Sequence, residues 1–310
     1  MLSRRRFLAL GASACATGAG LGLYAWQVEP FWPEIVRRPM PLENLPAELA
    51  GRTLLQLSDI HVGPRVSSEF LMRSFRAAAE LSPDFVALTG DFVSYRTAGE
   101  ISELARVLAV VPRGRLGTVG SLGNHDYGRN WRDVAVADQV SRVARDAGVL
   151  MLRNEVAMLG GLQVAGLGDF WSPEFGRGHG DPPTGELLAP PRDSGAGSSA
   201  DAHGTLSRLA PALPTVVLSH NPDALDLPIW DGVRGWVLAG HTHGGQVKPP
   251  FLPPPIVPVR NRRYTAGAFD VGPGRTLYVN RGLGFLYQVR LNVRPELTLF
   301  TLEPGRARPV

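Results

Sequence analysis

Cysteine is nearly absent from this chain of 310 residues, and its scarcity excludes several kinds of chemistry. The single cysteine, Cys15, lies in an apolar stretch near the N-terminus. No disulfide can therefore form within the chain, and the folded part has no thiolate to act as a nucleophile or as a zinc ligand. The sequence also lacks internal repeats and the G-x-S-x-G pattern that presents a catalytic serine at a sharp turn.

An excess of charge of one sign is also missing. The formal net charge is +4 at pH 7 and comes almost wholly from arginine, including Arg4, Arg5 and Arg6. The sequence shows neither a broad basic stretch nor aromatic residues interleaved with basic ones, so nucleic acid is not an expected partner. The length and the hydrophobic fraction of 44% are ordinary for a soluble globular protein with a full core.

The N-terminus has the pattern of an export signal. Ser3-Arg4-Arg5-Arg6-Phe7-Leu8 resembles the twin-arginine motif, and residues 7–26 contain no charge. Residues 1–29 therefore predict either a signal cleaved near Ala14-Cys15-Ala16 or an uncleaved membrane anchor. We disfavour lipidation of Cys15 because the usual larger aliphatic residue is missing three positions before it. The expected partner is the twin-arginine translocase, and the expected location is the periplasm or the extracytoplasmic face of the inner membrane.

The rest of the chain divides by composition. Residues 30–52 are rich in proline and predict an extended lead-in, whereas residues 53–306 predict one folded domain. Short apolar runs alternate there with helical patterns, an order typical of a layered α/β fold. The expected strands cover 53–57, 85–88, 118–122, 214–219 and 234–240, and the expected helices cover 67–81, 99–111 and 133–147, the last closed by Gly148.

The pattern of apolar and polar residues changes in the second half of the chain. Two or three strands are expected around a turn at Gly160-Gly161. Residues 172–204 lose all periodicity and predict a flexible loop or lid. Its histidines, His179 and His203, are expected to be solvated rather than to bind a ligand. The alternating tail near the C-terminus predicts closing antiparallel strands.

Seven side chains of the kinds that bind metals follow five of the predicted strands. Because strand ends of an open α/β sheet meet at one edge, we expect these side chains to converge there. They are Asp59 and His61 in LSDIH, Asp91 in TGD, Asn124 in GNHD, His220 in SHNPD, and His241 and His243 in GHTHGG.

The mixture of carboxylates and imidazoles is suited to two divalent ions such as Mn, Fe or Zn. Asp59 and His61 are separated by one residue, so both could point the same way at a strand end. A carboxylate such as Asp91 can bridge cations about 3.5–4 Å apart. His125, next to Asn124, is a candidate general acid or charge stabiliser; the alternative is a structural or surface histidine.

The ordered set SDIH, TGD, GNHD, SHNPD and GHTHGGQ resembles the calcineurin-like metallophosphoesterase superfamily, in particular its exported bacterial members with twin-arginine signals. The resemblance covers about residues 54–302, including GLGD and LYVNRGLG. It implies a four-layer fold in which two mixed β-sheets pack as a sandwich flanked by helices, with 53–306 as the catalytic domain. It also implies that one metal is held by Asp59, His61, Asp91 and His243, and that Asp91 bridges to a second metal completed by Asn124, His220 and His241.

The same resemblance assigns His125 to protonation of the leaving group or to phosphate contact. One departure concerns its neighbourhood, since many relatives place an aspartate three residues after the bridging one, where this chain has Ser94. A serine cannot raise the histidine pKa as a carboxylate would. Either His125 is a weaker acid, or Asp126 or another carboxylate substitutes.

The function expected from these residues is a dinuclear phosphoester hydrolase that uses a metal-bridging hydroxide. Its substrate would be a phosphodiester or a pyrophosphate-linked compound, either small or associated with the cell envelope, with lipid-linked compounds among the candidates. The alternatives are a non-catalytic metal-binding protein of the same fold and a nucleic-acid phosphodiesterase. Two further groups are ambiguous. Phe170, Trp171 and Phe175 could contact a lipid or a base but are favoured as core, and Arg260, Arg262 and Arg263 could bind phosphate or form a surface cluster.

Overall fold

The alternation of apolar runs and helical patterns builds two mixed six-stranded sheets. The computed structural model describes residues 4–175 and 201–305. The helices are α1 (Arg4–Gln27), α2 (Ser68–Ala79), α3 (Gly99–Leu108), α4 (Val134–Asp146) and α5 (Ala202–Leu206). The strands are β1 (Glu34–Leu42), β2 (Thr53–Leu57), β3 (Phe85–Thr89), β4 (Gly117–Ser121), β5 (Leu150–Met151), β6 (Glu155–Leu159), β7 (Leu162–Gly166), β8 (Thr215–Leu218), β9 (Gly235–Ala239), β10 (Gly267–Asp270), β11 (Arg275–Val279) and β12 (Glu296–Pro304).

The strand order confirms the predicted sandwich of mixed sheets. The first sheet runs β1-β12-β2-β3-β4-β5, and the second runs β10-β11-β9-β8-β7-β6. Neighbours in the series β2 to β5 and β7 to β9 are parallel, whereas β12 pairs antiparallel with β2 and β6 pairs antiparallel with β7. Parallel neighbours bring successive carboxyl ends to one edge, which is the condition for a shared site.

The layers follow from the alternation of side chains along each strand. In β2, Leu54 belongs to the apolar cluster between the sheets, whereas Leu55 belongs to the cluster under α2, α3 and α4. The outer face of the second sheet carries a third cluster, in which Val217 and Val237 pack with α5 and neighbouring loops. Helices, two sheets and a further outer layer therefore give the four layers expected.

Caps lie at the predicted starts of α2 and α4 and at the predicted end of α4, whereas α2 and α3 end two to three residues earlier than predicted. The Ser67 hydroxyl accepts a hydrogen bond from the Phe70 N–H at the start of α2. The Asp133 carboxylate accepts from the first turn of α4. After α4, Gly148 has φ +81°, the left-handed conformation that a helix C-terminus favours. The Gly160-Gly161 turn, with φ +52° and +96°, joins β6 to β7 as an antiparallel hairpin.

The proline-rich lead-in differs from the expectation, because part of it is a strand of the sandwich. β1 pairs parallel with β12 from Glu34 opposite Glu296 to Leu42 opposite Pro304. It lies at the edge of the first sheet, where Pro39 and Pro41 need no N–H to donate inward. The prolines break the alternation that would indicate a strand in the sequence, but they are compatible with a strand at the edge of a sheet.

The predicted closing strands are only partly antiparallel. β12 is antiparallel to β2 but parallel to β1, and β11 is antiparallel to β10 but parallel to β9. Most of the predicted loop, including His179, lies outside the described residues. His203 is exposed in α5 and belongs to neither cluster of potential metal ligands. Within the described part of the chain, no helix combines the length and apolarity needed to cross a membrane.

Candidate metal centre

The side chains predicted to bind metal converge at the carboxyl ends of β2, β3, β4, β8 and β9. In each case the first side chain predicted to bind metal lies two or three residues after the last residue of the strand. The structure brings together all seven, and none is more than 5% exposed: Asp59, His61, Asp91, Asn124, His220, His241 and His243. Such a concentration of buried polar groups has no stability rationale without a compensating ligand.

The ionisable members form two groups, each compact enough to hold one cation. Ligand atoms of Asp59, His61 and His243 lie within 4.8 Å of one another, and so do those of Asp91, His220 and His241. The grouping agrees with the partition that the sequence resemblance implied, although the resemblance counts Asp91 in both groups.

Asp91 lies between the two groups. Its Oδ2 is 3.4 Å from Nε2 of His61 in the first group and 3.2 Å from Nε2 of His220 in the second. Its Oδ1 accepts a hydrogen bond of 2.9 Å from the backbone N–H of His125. One oxygen is thus fixed by the backbone, and the other faces both groups, as a bridging carboxylate requires.

Asn124 is the amide member of the set. It is 1% exposed, and neither its Oδ1 nor its Nδ2 has a hydrogen-bond partner among the described residues. A buried amide left unpaired is unfavourable by about 1–3 kcal/mol, so an external acceptor or cation is the natural partner. Asn124 directly precedes the residue whose N–H binds Asp91, so it lies next to the carboxylate that faces both groups.

Backbone carbonyls set the orientation of two imidazoles. Nδ1 of His220 donates to the Thr89 carbonyl at 2.7 Å, which leaves Nε2 facing Asp91. Nε2 of His241 donates to the Pro258 carbonyl at 2.9 Å, which leaves Nδ1 for a ligand. Fixing one ring nitrogen in this way selects the tautomer that binds metal through the other.

The backbone conformation corrects one part of the sequence reasoning. Asp59 and His61 do bring their ligand atoms together, as expected, but the expected reason was alternation along an extended strand end. Instead β2 ends at Leu57, and both residues are left-handed, with φ 52° and 48°. Left-handed backbone is uncommon for non-glycine residues and clusters at functional sites. Five of the seven residues have it: Asp59, His61, Asp91, His241 and His243.

Two glycines make room for the carboxylates. A Cβ on Gly123 would lie 2.3 Å from Oδ1 of Asp91, and a Cβ on Gly240 would lie 2.2 Å from Oδ2 of Asp59. Gly240 belongs to the loop after β9, so a segment of the second sheet packs directly on a carboxylate supplied by the first.

Burial dominates the electrostatics of the centre. It raises the pKa of Asp59 to about 7, against hydrogen bonds from Ser58 and from the His241 N–H, and it lowers the pKa values of His61 and His241 to about 3. His220 is the exception: burial lowers its pKa, but the carboxylates of Asp91, Asp59 and Asp169 together outweigh burial and raise the pKa well above the usual value. Neutral imidazoles beside buried carboxylates are the protonation pattern that divalent cations bind.

His125 lies next to the centre and is half-buried. Its ring centroid is 5.1 Å from that of His61. Burial lowers its pKa, while the nearby Asp91 and a hydrogen bond to the Ser94 carbonyl raise it. Ser94 therefore supports His125 through its backbone rather than through a side-chain charge.

Asp126 does not substitute as the partner of His125. Its Oδ1 accepts from the Phe92 and Val93 N–H groups, and its Oδ2 accepts from the Gly123 N–H. Three backbone donors occupy this carboxylate, so it shapes the loop that carries Asn124 and His125.

Comparison with known proteins agrees with this geometry. A family model described as calcineurin-like phosphoesterase matches residues 52–245. The chain belongs to this family. Phosphodiesterase YaeI of Escherichia coli K12 is 31% identical over 97% of this chain and 100% of its own. Metallophosphoesterase YkuE of Bacillus subtilis 168 is 32% identical over 97% of this chain and 98% of its own. UDP-2,3-diacylglucosamine pyrophosphatase LpxG of Chlamydia trachomatis is 25% identical over 94% of this chain and 98% of its own.

Membership in the calcineurin-like phosphoesterase family makes the protein a phosphoester hydrolase. The alternative of a non-catalytic metal-binding protein is therefore not supported. The two groups of ligand-type side chains are the candidate metal positions of this phosphoesterase.

The phosphoesterase centre has a supporting arginine that sequence reasoning missed. Arg290 is fully buried, and its guanidinium donates to the carbonyls of Arg281, Gly282 and Gly284. The Gly284 N–H in turn donates to the Asp59 carbonyl. The matching segment LYVNRGLG supplies these carbonyls but does not contain Arg290, so the sequence gave no signal for the arginine itself.

For two residues that the sequence left without a definite role, the surroundings became visible only in three dimensions. Asp169 of GLGD is fully buried, and its Oδ1 accepts from the Trp171 N–H. Its Oδ2 has no hydrogen-bond partner within 4–175 and 201–305, and burial raises its pKa to about 7. The Trp171 ring lies 4.4 Å from that of His241.

The aromatic group and the arginine group whose roles the sequence left ambiguous are mostly structural. Phe170 and Phe175 are buried in the third apolar cluster, as favoured, and Trp171 combines burial there with its contact to His241. Side chains of Arg262 and Arg263 donate to backbone carbonyls on the surface.

Proposed function

We propose that this phosphoesterase is a dinuclear enzyme that cleaves phosphodiester or pyrophosphate bonds. The observation that carries the proposal is the position of Asp91, whose Oδ2 lies 3.4 Å from one ligand group and 3.2 Å from the other. A carboxylate in that position can serve two cations at once.

The donor set fits two divalent ions such as Mn, Fe or Zn. Each group combines carboxylate oxygen with imidazole nitrogen, and the unpaired Oδ1 of Asn124 offers a neutral oxygen that the resemblance assigns to the second. When bound, such ions activate a water and neutralise charge on the phosphoryl oxygens. The first would be held by Asp59, His61, Asp91 and His243, and the second by Asp91, Asn124, His220 and His241.

The protein's own contribution is orientation and proton handling. Ser58 donates to Asp59 at 2.6 Å, and the Thr89 carbonyl fixes the His220 ring. His125 would hold the proton that the leaving oxygen needs, at the imidazole nitrogen not bound to Ser94.

The substrate class is proposed from the relatives. One is named a phosphodiesterase and another a pyrophosphatase of a UDP-linked diacylglucosamine. Both names describe cleavage at a phosphate that carries two substituents. We therefore propose a diester or pyrophosphate-linked substrate of the cell envelope, including lipid-linked compounds.

The test is hydrolysis by purified protein loaded with Mn. Bis(p-nitrophenyl) phosphate, p-nitrophenyl phosphate and a nucleotide-sugar lipid are compared at equal concentration, with Asp91→Ala as the blank. Preference for the diester or the pyrophosphate supports the proposal. Full metal loading with turnover no higher than that of Asp91→Ala would overturn it, and preference for the monoester would overturn the substrate class.

The N-terminal pattern leads us to propose export by the twin-arginine route to the extracytoplasmic side. Any cleavage must precede Tyr24, because Ala25 is buried and the Glu29 carboxylate, 1% exposed, accepts from the Val293 N–H. Replacement of Arg5 and Arg6 by lysine should retain the protein in the cytoplasm. N-terminal sequencing of the exported form then distinguishes a cleaved signal from a retained anchor, and a cut after Glu29 would contradict the assignment.

A further inference from the structure

A loop beside the metal centre exposes three large apolar side chains. We call residues 247–258 the Phe251 loop. Phe251 is fully exposed, and Leu252 and Ile256 are 59% and 73% exposed. Single exposed apolar residues are ordinary on a protein surface, but a cluster of large ones indicates an interaction site.

The backbone of this loop is built to keep those side chains outward. Six of its twelve residues are proline, which restricts φ and limits collapse onto the domain. Phe251 has φ 65°, an uncommon conformation for a bulky residue. Such a conformation persists only when its surroundings impose it. Pro254 is buried against Gly245, which anchors the loop at its centre.

Two neighbouring segments extend the apolar surface. The Lys248 N–H donates to the Leu291 carbonyl, which joins the Phe251 loop to residues 286–292. Tyr287 of that segment is 59% exposed. The same segment binds the end of α1, because the Arg290 N–H donates to the Ala25 carbonyl.

The end of α1 is itself uncovered. Residues 15–23 are all exposed, and residues 7–26 contain no charge. Leu21, Leu23 and Trp26 are 50%, 57% and 53% exposed. An uncharged helix that stands clear of its domain needs an apolar or interfacial environment.

The segment that carries the loop has charged side chains of one sign, although the Asp223 carboxylate lies beside it and accepts from the Arg260 and Asn261 N–H groups. Residues 244–269 contain no Asp or Glu but include Lys248, Arg260, Arg262 and Arg263. Lys248 and Arg262 are exposed, and the side chain of Arg262 rests on the Pro254 and Pro255 carbonyls of the loop. Aromatic and aliphatic side chains with adjacent basic ones match the interfacial region of a bilayer that contains anionic lipid.

We propose that the Phe251 loop, Tyr287 and the end of α1 form a surface that docks on a lipid bilayer. Phe251, Leu252 and Ile256 enter the interfacial region, and the basic residues contact anionic headgroups. The loop also touches the metal centre, since the Pro258 carbonyl fixes His241. Docking would therefore hold the centre beside the membrane surface, and this binding does not depend on which bond the enzyme cleaves.

The first experiment measures partition of the full chain onto vesicles of phosphatidylcholine with about one quarter phosphatidylglycerol. The test variant is Phe251→Ser, Leu252→Ser and Ile256→Ser together. The matched control, Leu150→Ser, Met158→Ser and Leu213→Ser, removes as many exposed apolar side chains elsewhere, two of them from the strands at the opposite edges of the sheets. The partition coefficient of the test variant should fall about tenfold, and that of the control should equal the wild-type value.

The second experiment locates the contact. In a Cys15→Ser background, Leu252→Cys or Met158→Cys is labelled with an environment-sensitive fluorophore, since the chain has no other cysteine. Vesicles should shift the emission of the label at 252 to the blue and leave the label at 158 unchanged. Equal partition of all variants, with the label at 252 still in water, would overturn the proposal. It would also be overturned by a blue shift without vesicles that grows with protein concentration, because a second copy would then cover the loop.

Discussion

The two sheets make different contributions to the metal centre. The first sheet supplies both ligand carboxylates and the amide, together with one imidazole: Asp59, His61, Asp91 and Asn124. The second supplies only imidazoles: His220, His241 and His243. Each group of ligand atoms nevertheless takes members from both sheets. A bound cation would therefore connect the two sheets, and the centre depends on their relative position.

The largest effect should come from the residue that faces both groups. Asp91→Ala removes the shared carboxylate and should lower kcat/KM for a diester by at least about 10³-fold. His125→Ala should lower it by about 10²-fold, because it removes proton transfer and leaves the metals in place. Steady-state kinetics with elemental analysis of both variants provides the check. The opposite ranking, or full metal content in Asp91→Ala, would contradict the shared position.

Metal removal should weaken the connection between the sheets. At free metal 100 to 1,000 times the dissociation constant, binding should add about 3–4 kcal/mol to the free energy of unfolding. Urea denaturation with added Mn or with a chelator measures this difference. Asp91→Ala is the control and should show a much smaller difference. If the chelator leaves the unfolding midpoint of the wild-type protein unchanged, this result would argue against cations that connect the two sheets.

The next largest effect should come from the contact between the two sheets at Gly240. Gly240→Ala places a Cβ 2.2 Å from Oδ2 of Asp59 and 2.0 Å from Oγ of Ser58, so Asp59 must shift. We expect metal affinity to fall by about 10²-fold, as when a supporting contact is lost. Gly99→Ala, whose Cβ would meet its nearest atom at 3.8 Å, is the matched control. Unchanged affinity in Gly240→Ala would mean that Asp59 is not a ligand.

The smallest effect concerns the pH dependence of metal affinity. Each sheet holds one group that carries a proton when no metal is bound. Burial raises the pKa of Asp59 to about 7, and nearby carboxylates raise the pKa of His220 well above its usual value. Both groups must lose their protons to bind a cation. Affinity should therefore fall by about tenfold per pH unit for each proton that the cation displaces, from about pH 7 downward for Asp59 and from a higher pH for His220. Calorimetric titration in buffers of different ionisation enthalpy measures the protons, and an affinity independent of pH from about 5 to 8 would contradict this assignment.

The sequence predicted much of the centre because polar residues directly after apolar strands have few structural alternatives. His61 and His243 are separated by 182 positions, yet the pattern identified both, and the structure places their Nε2 atoms 3.0 Å apart. The pattern could not predict the strand β1, since prolines at 39 and 41 remove its alternation. Arg290 was also invisible, because nothing in its local sequence indicates burial.

The sequence alone determined the residue types of the centre and the alternation of strands and helices, because these depend on local patterning. Its short motifs implied the family, and the mixed-sheet sandwich was expected only through that resemblance. Tertiary structure decided which atoms meet. The tautomers of His220 and His241, the left-handed backbone at Asp59 and the placement of Asp91 between the groups all depend on contacts across the two sheets. Such contacts join residues far apart in the chain, and their geometry exists only after both sheets have packed.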